Sequence, residues 1–295
     1  MLTRILKAPN KSVPDTELHL LEYPVVASPK LDGFRCLIDG EPKTSSMKEQ
    51  PNEFIKKTLS KPELNGLDGE LLVGLPTDPN SFNNSTGPLR RYAGEPDFKF
   101  YVFDSFLSPS QPYAQRWLLS VKEEFKHPRV VILPQEILYT PSEVVLFTDR
   151  CIDEGYEGAM LRTLTGKYKQ GRATFKEMNI FKRKPLEDAE AEIIGFVEQM
   201  TNHNPKFIDE QGLSKRATNQ DMLLGAGTLG SFVMKSPLWK KPFNLGGGKL
   251  NHSERLDVWN NREEFLGKKV TFRYQAHGSL EGPRQPIFHR FYKEL

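Results

Sequence analysis

Cysteine is almost missing from this chain: Cys36 and Cys151 are the only two in 295 residues, and they stand far apart. That excludes a disulfide framework and fits a reducing compartment. Long apolar runs are also missing, since no stretch approaches the ~20 residues a spanning helix needs. The opening MLTRILKAPN has no apolar core of the signal-peptide kind. The expectation is a soluble, cytoplasmic protein with no membrane partner. The six histidines, His19, His127, His203, His252, His277 and His289, show no metal-ligand spacing with the cysteines, so surface or packing roles are expected for them. Gly246-Gly247-Gly248-Lys249 lacks the Gly-x-x-x-x-Gly-Lys-Ser/Thr spacing of a phosphate cradle and reads as a flexible connection. Repeats and low-complexity tracts are absent. A net charge of +3 is too small to prove a polyanionic partner, but it is unevenly spread. Residues 195–295 carry 15 Lys and Arg against 10 Asp and Glu, while the remainder carries 26 against 28. The asymmetry points to a basic C-terminal module.

What is present is a series of short apolar strands between turns. The pattern predicts strands at 23–27, 34–38, 67–73, 98–104, 130–134, 158–162, 190–197, 229–234 and 269–275. Helices are expected at 53–59, Arg116–Phe125, Ser142–Asp153 with Ser142 as cap, and Ser253–Phe265. Strands interleaved with few helices read as an α+β protein with largely antiparallel sheets. After Lys184-Pro185 the acidic stretch LEDAEAE opens a new strand pattern, so the domains are read as 1–187 and 188–295. A polar segment near 201–228, rich in Asn, Lys, Arg and Gly, reads as an insertion between two strands of the second domain.

Five stretches carry chemistry. Lys30-Leu31-Asp32-Gly33-Phe34-Arg35 places two cations around an Asp-Gly, a dipeptide that signals a hairpin between its flanking strands. Asp68-Gly69-Glu70 and Glu157-Gly158-Ala159-Met160-Leu161-Arg162 each set an acid at the mouth of an apolar strand. Phe100-Tyr101-Val102-Phe103-Asp104 is an aromatic stripe ending in a carboxylate. Lys182 and Lys184, before Pro185, share one strand face because side chains alternate with period two. Singly, each of these is ordinary surface or core.

In this order and spacing the five resemble the motifs of the covalent nucleotidyltransferases, and within them the compact viral or bacteriophage ATP-dependent DNA ligases. The resemblance spans nearly the whole chain. It implies an antiparallel-sheet adenylation domain followed by an OB-fold β-barrel, with ATP and Mg²⁺ as cofactors and nicked duplex DNA as partner. It implies three steps: a lysyl-AMP intermediate, AMP transfer to the 5′-phosphate, and attack by the 3′-hydroxyl. Lys30 is then the nucleophile. Lys182 and Lys184 contact the phosphates, and with bound metal and desolvation they favour the neutral amine. Arg35 and Glu70 lie near the ribose, Phe103 stacks on adenine, and Glu70 and Glu157 are the carboxylates near the metal.

In the second domain, Pro283–Phe291 resembles the last ligase motif, whose arginine reaches the pyrophosphate; Arg290 is the match and Arg284 the second choice. The chain departs from the family's Arg-x-Asp-Lys continuation by ending Phe-Tyr-Lys-Glu-Leu. Ser45 stands where viral ligases often carry an arginine that touches the nick, with Lys48 close by to compensate. Lys206, Lys215 and Arg216 of the inserted segment are expected to grip DNA phosphates without sequence preference. With no separate DNA-binding domain expected ahead of the adenylation domain, a monomer would encircle the nick. The alternatives are an mRNA-capping guanylyltransferase or RNA ligase of the same superfamily, and a catalytically silent DNA-binding module.

Overall fold

The computed structural model describes every residue except Met1, 123–126, Pro185, 209–213, 218, 280 and 293–295, and the side chains of 118–122. It is a mixed α+β structure, mostly sheet with few helices. The chain divides into two compact units, Met1–Lys184 and Pro185–Leu295.

The first unit contains strands β1 (Leu6–Lys7), β2 (Val25–Pro29), β3 (Phe34–Asp39), β4 (Glu41–Thr44), β5 (Leu67–Val73), β6 (Phe98–Ser105), β7 (Val130–Ile132) and β8 (Glu136–Leu138). It is completed by β9 (Ala159–Thr163), β10 (Gly171–Arg172) and β11 (Ile180–Arg183), with helices α1 (Glu53–Leu59), α2 (Ser81–Arg90), α3 (Tyr113–Lys122) and α4 (Pro141–Asp153). One sheet runs β4-β3-β5-β6-β7, antiparallel except for the β6–β7 pair. A second runs β11-β9-β2-β8, antiparallel throughout. A parallel two-stranded pair joins β1 to β10.

The Asp32-Gly33 hairpin expected from sequence does not form. β2 and β3 lie in different sheets, so the segment between them is a crossover. Gly33 is needed for space rather than for a turn: a Cβ there would sit 2.6 Å from the Leu71 carbonyl oxygen. Each sheet has its own apolar core. Val25, Ala27, Leu161 and Phe181 pack with Val144 and Phe147 of α4, and Ile38, Leu71, Phe98 and Phe100 pack with Ile55 and Leu59 of α1. The cap of α4 is Thr140 rather than Ser142; its hydroxyl accepts from the Glu143 amide at 3.2 Å, and Pro141 fills the first helical position. Of the helix expected over 116–125, α3 begins earlier, at Tyr113, and residues 123–125 lie outside those described.

In the second unit, β12 (Glu187–Asn202), β15 (Leu223–Lys235), β16 (Phe243–Gly246), β17 (Lys269–Gln275) and β18 (Arg284–Phe291) close into a barrel in the order β12-β15-β16-β18-β17. Its centre is aromatic, with Phe232, Phe272 and Phe288 buried beside Ile193 and Val270. β12 and β15 run longer than their apolar stretches, pairing as far as Asn202 with Leu223. These ends are held by cross-strand hydrogen bonds and not by burial, so hydrophobic pattern could not locate them. Between them β13 (Lys206–Ile208) and β14 (Ser214–Arg216) form an antiparallel ribbon, with residues 209–213 outside the described set. The helix expected at 253–265 is two, α5 (His252–Asn260) and α6 (Arg262–Phe265), broken at Asn261.

Candidate active site

In the first unit the crossover after β2 and the starts of β3 and β9 surround a cavity of about 340 Å³. Lys30 lies at its floor, just past β2. Its backbone N–H donates to the Gly158 carbonyl at 2.8 Å, and its carbonyl accepts from the Glu157 amide at 3.2 Å. The nucleophile candidate and the acid of the fourth motif are therefore locked together through the backbone. Gly158 has φ of +137°, and a Cβ there would run into the Arg183 carbonyl, so glycine is required.

The side chains repeat that pairing. Glu157 is buried, and its carboxylate bridges the ammonium groups of Lys30 and Lys184. Burial opposes its charge, but the two lysines prevail and hold the carboxyl down at about 2. Lys182 also lines the cavity, and its ammonium is pushed down by burial and by its neighbours Lys184 and Lys30. Lys184, one residue past the end of β11, reaches Glu157, while Lys182 lines the cavity.

Arg35 opens β3 on the other sheet. It forms a two-pronged ion pair with buried Asp68, at 2.6 Å on each prong, and its guanidinium carbon stands 4.5 Å above the Phe103 ring centroid. The Tyr168 hydroxyl donates to the same carboxylate at 2.7 Å, fixing its orientation. Burial and the Asp68 charge act in opposite directions on the guanidinium, and the carboxylate dominates, raising its pKa. Glu70 pairs across the sheet with Arg35. Burial pushes its carboxyl up to about 7 against the pull of Arg35 and Lys30.

Sequence reading missed several residues here. Asp68 and Tyr168 orient Arg35, while Lys7 and Arg172 reach the cavity wall as register partners in the β1–β10 pair. The pairing joins residues far apart in the chain, and nothing local signals it. Arg162 was in view, in the fourth motif, but had no role. Ser45 lines the cavity, whereas Lys48 is exposed on the turn after β4 and is not among the lining residues. Arg284, Arg290, Lys206, Lys215 and Arg216 all belong to the second unit. Arg284 and Arg290 lie on β18, with Arg290 exposed, and the other three lie on the β13–β14 ribbon, where Lys206 faces Arg216 in register.

No cluster of three or more metal-ligating side chains occurs among the described residues. Glu70 fits a hard divalent cation: a carboxyl that titrates near neutrality gains from a positive neighbour. Both oxygens of Glu157 serve lysines, so it can reach a cation only after an ammonium leaves.

The Glu70 shift has a pH consequence of defined sign. Its folded value of about 7 exceeds the ordinary 4.5, so its contribution to stability is complete below about 4.5 and is lost as pH rises through 7. The loss is on the order of 3 kcal/mol. Urea titration at pH 5 and pH 8 should show wild type losing stability relative to Glu70→Gln by that order. A constant difference between the two proteins would rule out the raised carboxyl.

No family model matches the chain. In sequence it resembles the DNA ligase of African swine fever virus: 30% identity to the Pig/Kenya isolate over 124 residues and 29% to the Tick/South Africa isolate. The match covers 38% of this chain and 29% of the viral protein, so the chain matches under a third of the length of these curated relatives. Among solved structures, a Chlorella virus DNA ligase–adenylate is 24% identical with a TM-score of 0.56 over the whole of both chains. A Lig E DNA ligase is 21% identical with a TM-score of 0.71, covering 99% of this chain and all of its own. The chain has the fold of these ligases.

Proposed function

We propose that the chain is an ATP-dependent DNA ligase of the compact viral type, sealing nicks in duplex DNA with the help of Mg²⁺. The first unit is the adenylation domain and the barrel is an OB-fold, a five-stranded architecture suited to nucleic-acid surfaces. The observation that carries this reading is the Lys30–Glu157–Lys184 arrangement, whose Lys30 lines a cavity also lined by Phe103. One buried carboxylate shared by two lysines leaves an excess positive charge where a triphosphate would lie. When Lys30 surrenders its proton, the amine attacks the α-phosphorus. A P–N bond forms, the bond to the bridging oxygen breaks, and pyrophosphate leaves with the electron pair. Lys182 and Lys184 hold the phosphates, Glu70 and Arg35 the ribose side, and Phe103 the base. A bound divalent cation would add charge opposite the phosphate oxygens, with Glu70 and Glu157 as its protein ligands.

Incubation with α-³²P-ATP or α-³²P-GTP, followed by denaturing electrophoresis, tests the proposal. Label from ATP alone supports it. Label from GTP alone would make the chain a guanylyltransferase, and nick binding without label would make it a silent binding module.

The ribbon supplies the DNA grip in this reading. All three of its basic residues are exposed, with Phe207 and Ile208 beside them. Changing Lys206, Lys215 and Arg216 together to alanine should weaken nick binding. It should also reduce the slope of log affinity against log salt by about 0.9 per lost phosphate contact. A wild-type slope in the triple variant would remove the ribbon from the interface.

A further inference from the structure

Arg162 is the buried arginine of the cavity lining, and its Nε finds no acceptor among the described residues. It lies on β9 between Val26 of β2 and Ile180 of β11, is only 2% exposed, and lines the cavity. Its Nε is buried without an acceptor, and its side chain makes no hydrogen bond or ion pair among the described residues. The contrast with Arg116 shows that the fold can satisfy a buried guanidinium. Arg116 takes Asp104 at 2.9 and 3.4 Å and the Gly166 carbonyl at 3.0 Å, so Asp104 acts on Arg162 through its charge without taking a hydrogen bond from it. Arg162 instead has ring faces as neighbours, with its guanidinium carbon 5.0 Å from the Phe103 centroid and 5.1 Å from that of Tyr113. Aromatic faces attract a cation weakly and leave its N–H groups without acceptors, and a buried donor left unsatisfied is unfavourable. Such a residue is out of place in a folded core unless a ligand completes it.

We infer that Arg162 reads the nucleotide base, donating to a ring nitrogen of the purine that lies against Phe103. A guanidinium has donors only, so its partner must be an acceptor. The exocyclic amine of adenine is a donor and is excluded, which leaves N1, N3 or N7. The phosphates are served by the lysines at the cavity floor. This inference rests on the nucleotide-site reading given above, and it adds a residue that holds the purine ring; contact at N1 would also reject guanine, whose N1 carries a hydrogen.

The test is calorimetric titration of the whole chain, without divalent metal so that no chemistry follows. The ligands are ATP and its 1-deaza, 3-deaza and 7-deaza analogues, each of which replaces one ring acceptor with C–H. Wild type should bind one of the three about 10- to 100-fold more weakly than ATP, the range for a lost hydrogen bond to a charged group. Arg162→Met should bind ATP as weakly as wild type binds that analogue, with no further penalty for the analogue itself. Arg162→Lys should fall between. Because the Met variant removes a buried donor that has no acceptor, the ligand-free protein should melt at a higher temperature than wild type, which no merely structural role for Arg162 would produce. Equal binding of all three analogues by wild type, or a penalty that persists in Arg162→Met, overturns the inference. If the pattern appears but Mg²⁺ and ATP leave no covalent adduct, the ligase reading fails and the base contact stands. If ATP does not bind, both fall.

Discussion

Lys30→Ala should form no covalent adduct with ATP, and intact-mass spectrometry should find only the unmodified chain where wild type gains the mass of AMP. The wild-type adduct should be labile to acid and stable to alkali, as a P–N bond is. Lys30→Arg should fare no better, because a guanidinium stays protonated and cannot attack. The arginine keeps the positive charge beside Glu157, so the pair of variants separates loss of the nucleophile from loss of charge balance. Lys30→Ala leaves Glu157 its ion pair with Lys184, so a modest fall in melting temperature is expected alongside a complete loss of chemistry. Acid should weaken this floor further. With its carboxyl held at about 2, Glu157 contributes fully above about 4.5, and the contribution is lost as pH falls toward 2. A wild-type quantity of AMP adduct on either Lys30 variant would move the nucleophile elsewhere.

The ease of reading this chain varies with the kind of information each residue carries. Strands such as β3, β5 and β6 announced themselves because burial on their inner faces leaves an apolar signature in the sequence. β10, β13, β14 and β16 did not, being only two to four residues long, and β10 is fixed by a partner distant in the chain. The same division runs through the site. Lys30, Arg35, Glu70, Phe103, Glu157 and Lys182 were legible as types in an order, and the fold brings them to one cavity or its floor. Why they sit where they do was not legible. Asp32-Gly33 has the local appearance of a hairpin, yet it crosses between sheets. Only the tertiary approach of Leu71 reveals that its glycine answers a steric demand. Asp68 and Tyr168 were invisible as positioning groups because their partner, Arg35, is reached across the sheet and from a distant loop. Arg162 could be quoted from the motif but not understood, since what marks it is a buried Nε with no acceptor, and that is a property of the packed structure alone.

Arg290→Ala should separate the first chemical step from the others. Arg290 is exposed on β18 and pairs through its backbone with Thr271, so truncating its side chain removes little packing and should leave the barrel folded. In the proposed cycle, pyrophosphate leaves only when Lys30 is adenylylated. A guanidinium that orients this leaving group therefore helps that step alone, where removing one such electrostatic contact costs about 10²- to 10³-fold in rate. The variant should be defective by that order in forming lysyl-AMP from ATP. It should nevertheless seal, at close to the wild-type rate, a nick that already carries AMP on its 5′-phosphate. Single-turnover sealing of the two substrates decides the matter, and melting temperature checks the fold. If both substrates suffer equally while melting is unchanged, Arg290 serves the grip on DNA. The positive charge at this end of the chain would then contribute to binding in the manner of the ribbon lysines, through phosphate contacts and a reduced salt slope, with no part in the departure of pyrophosphate.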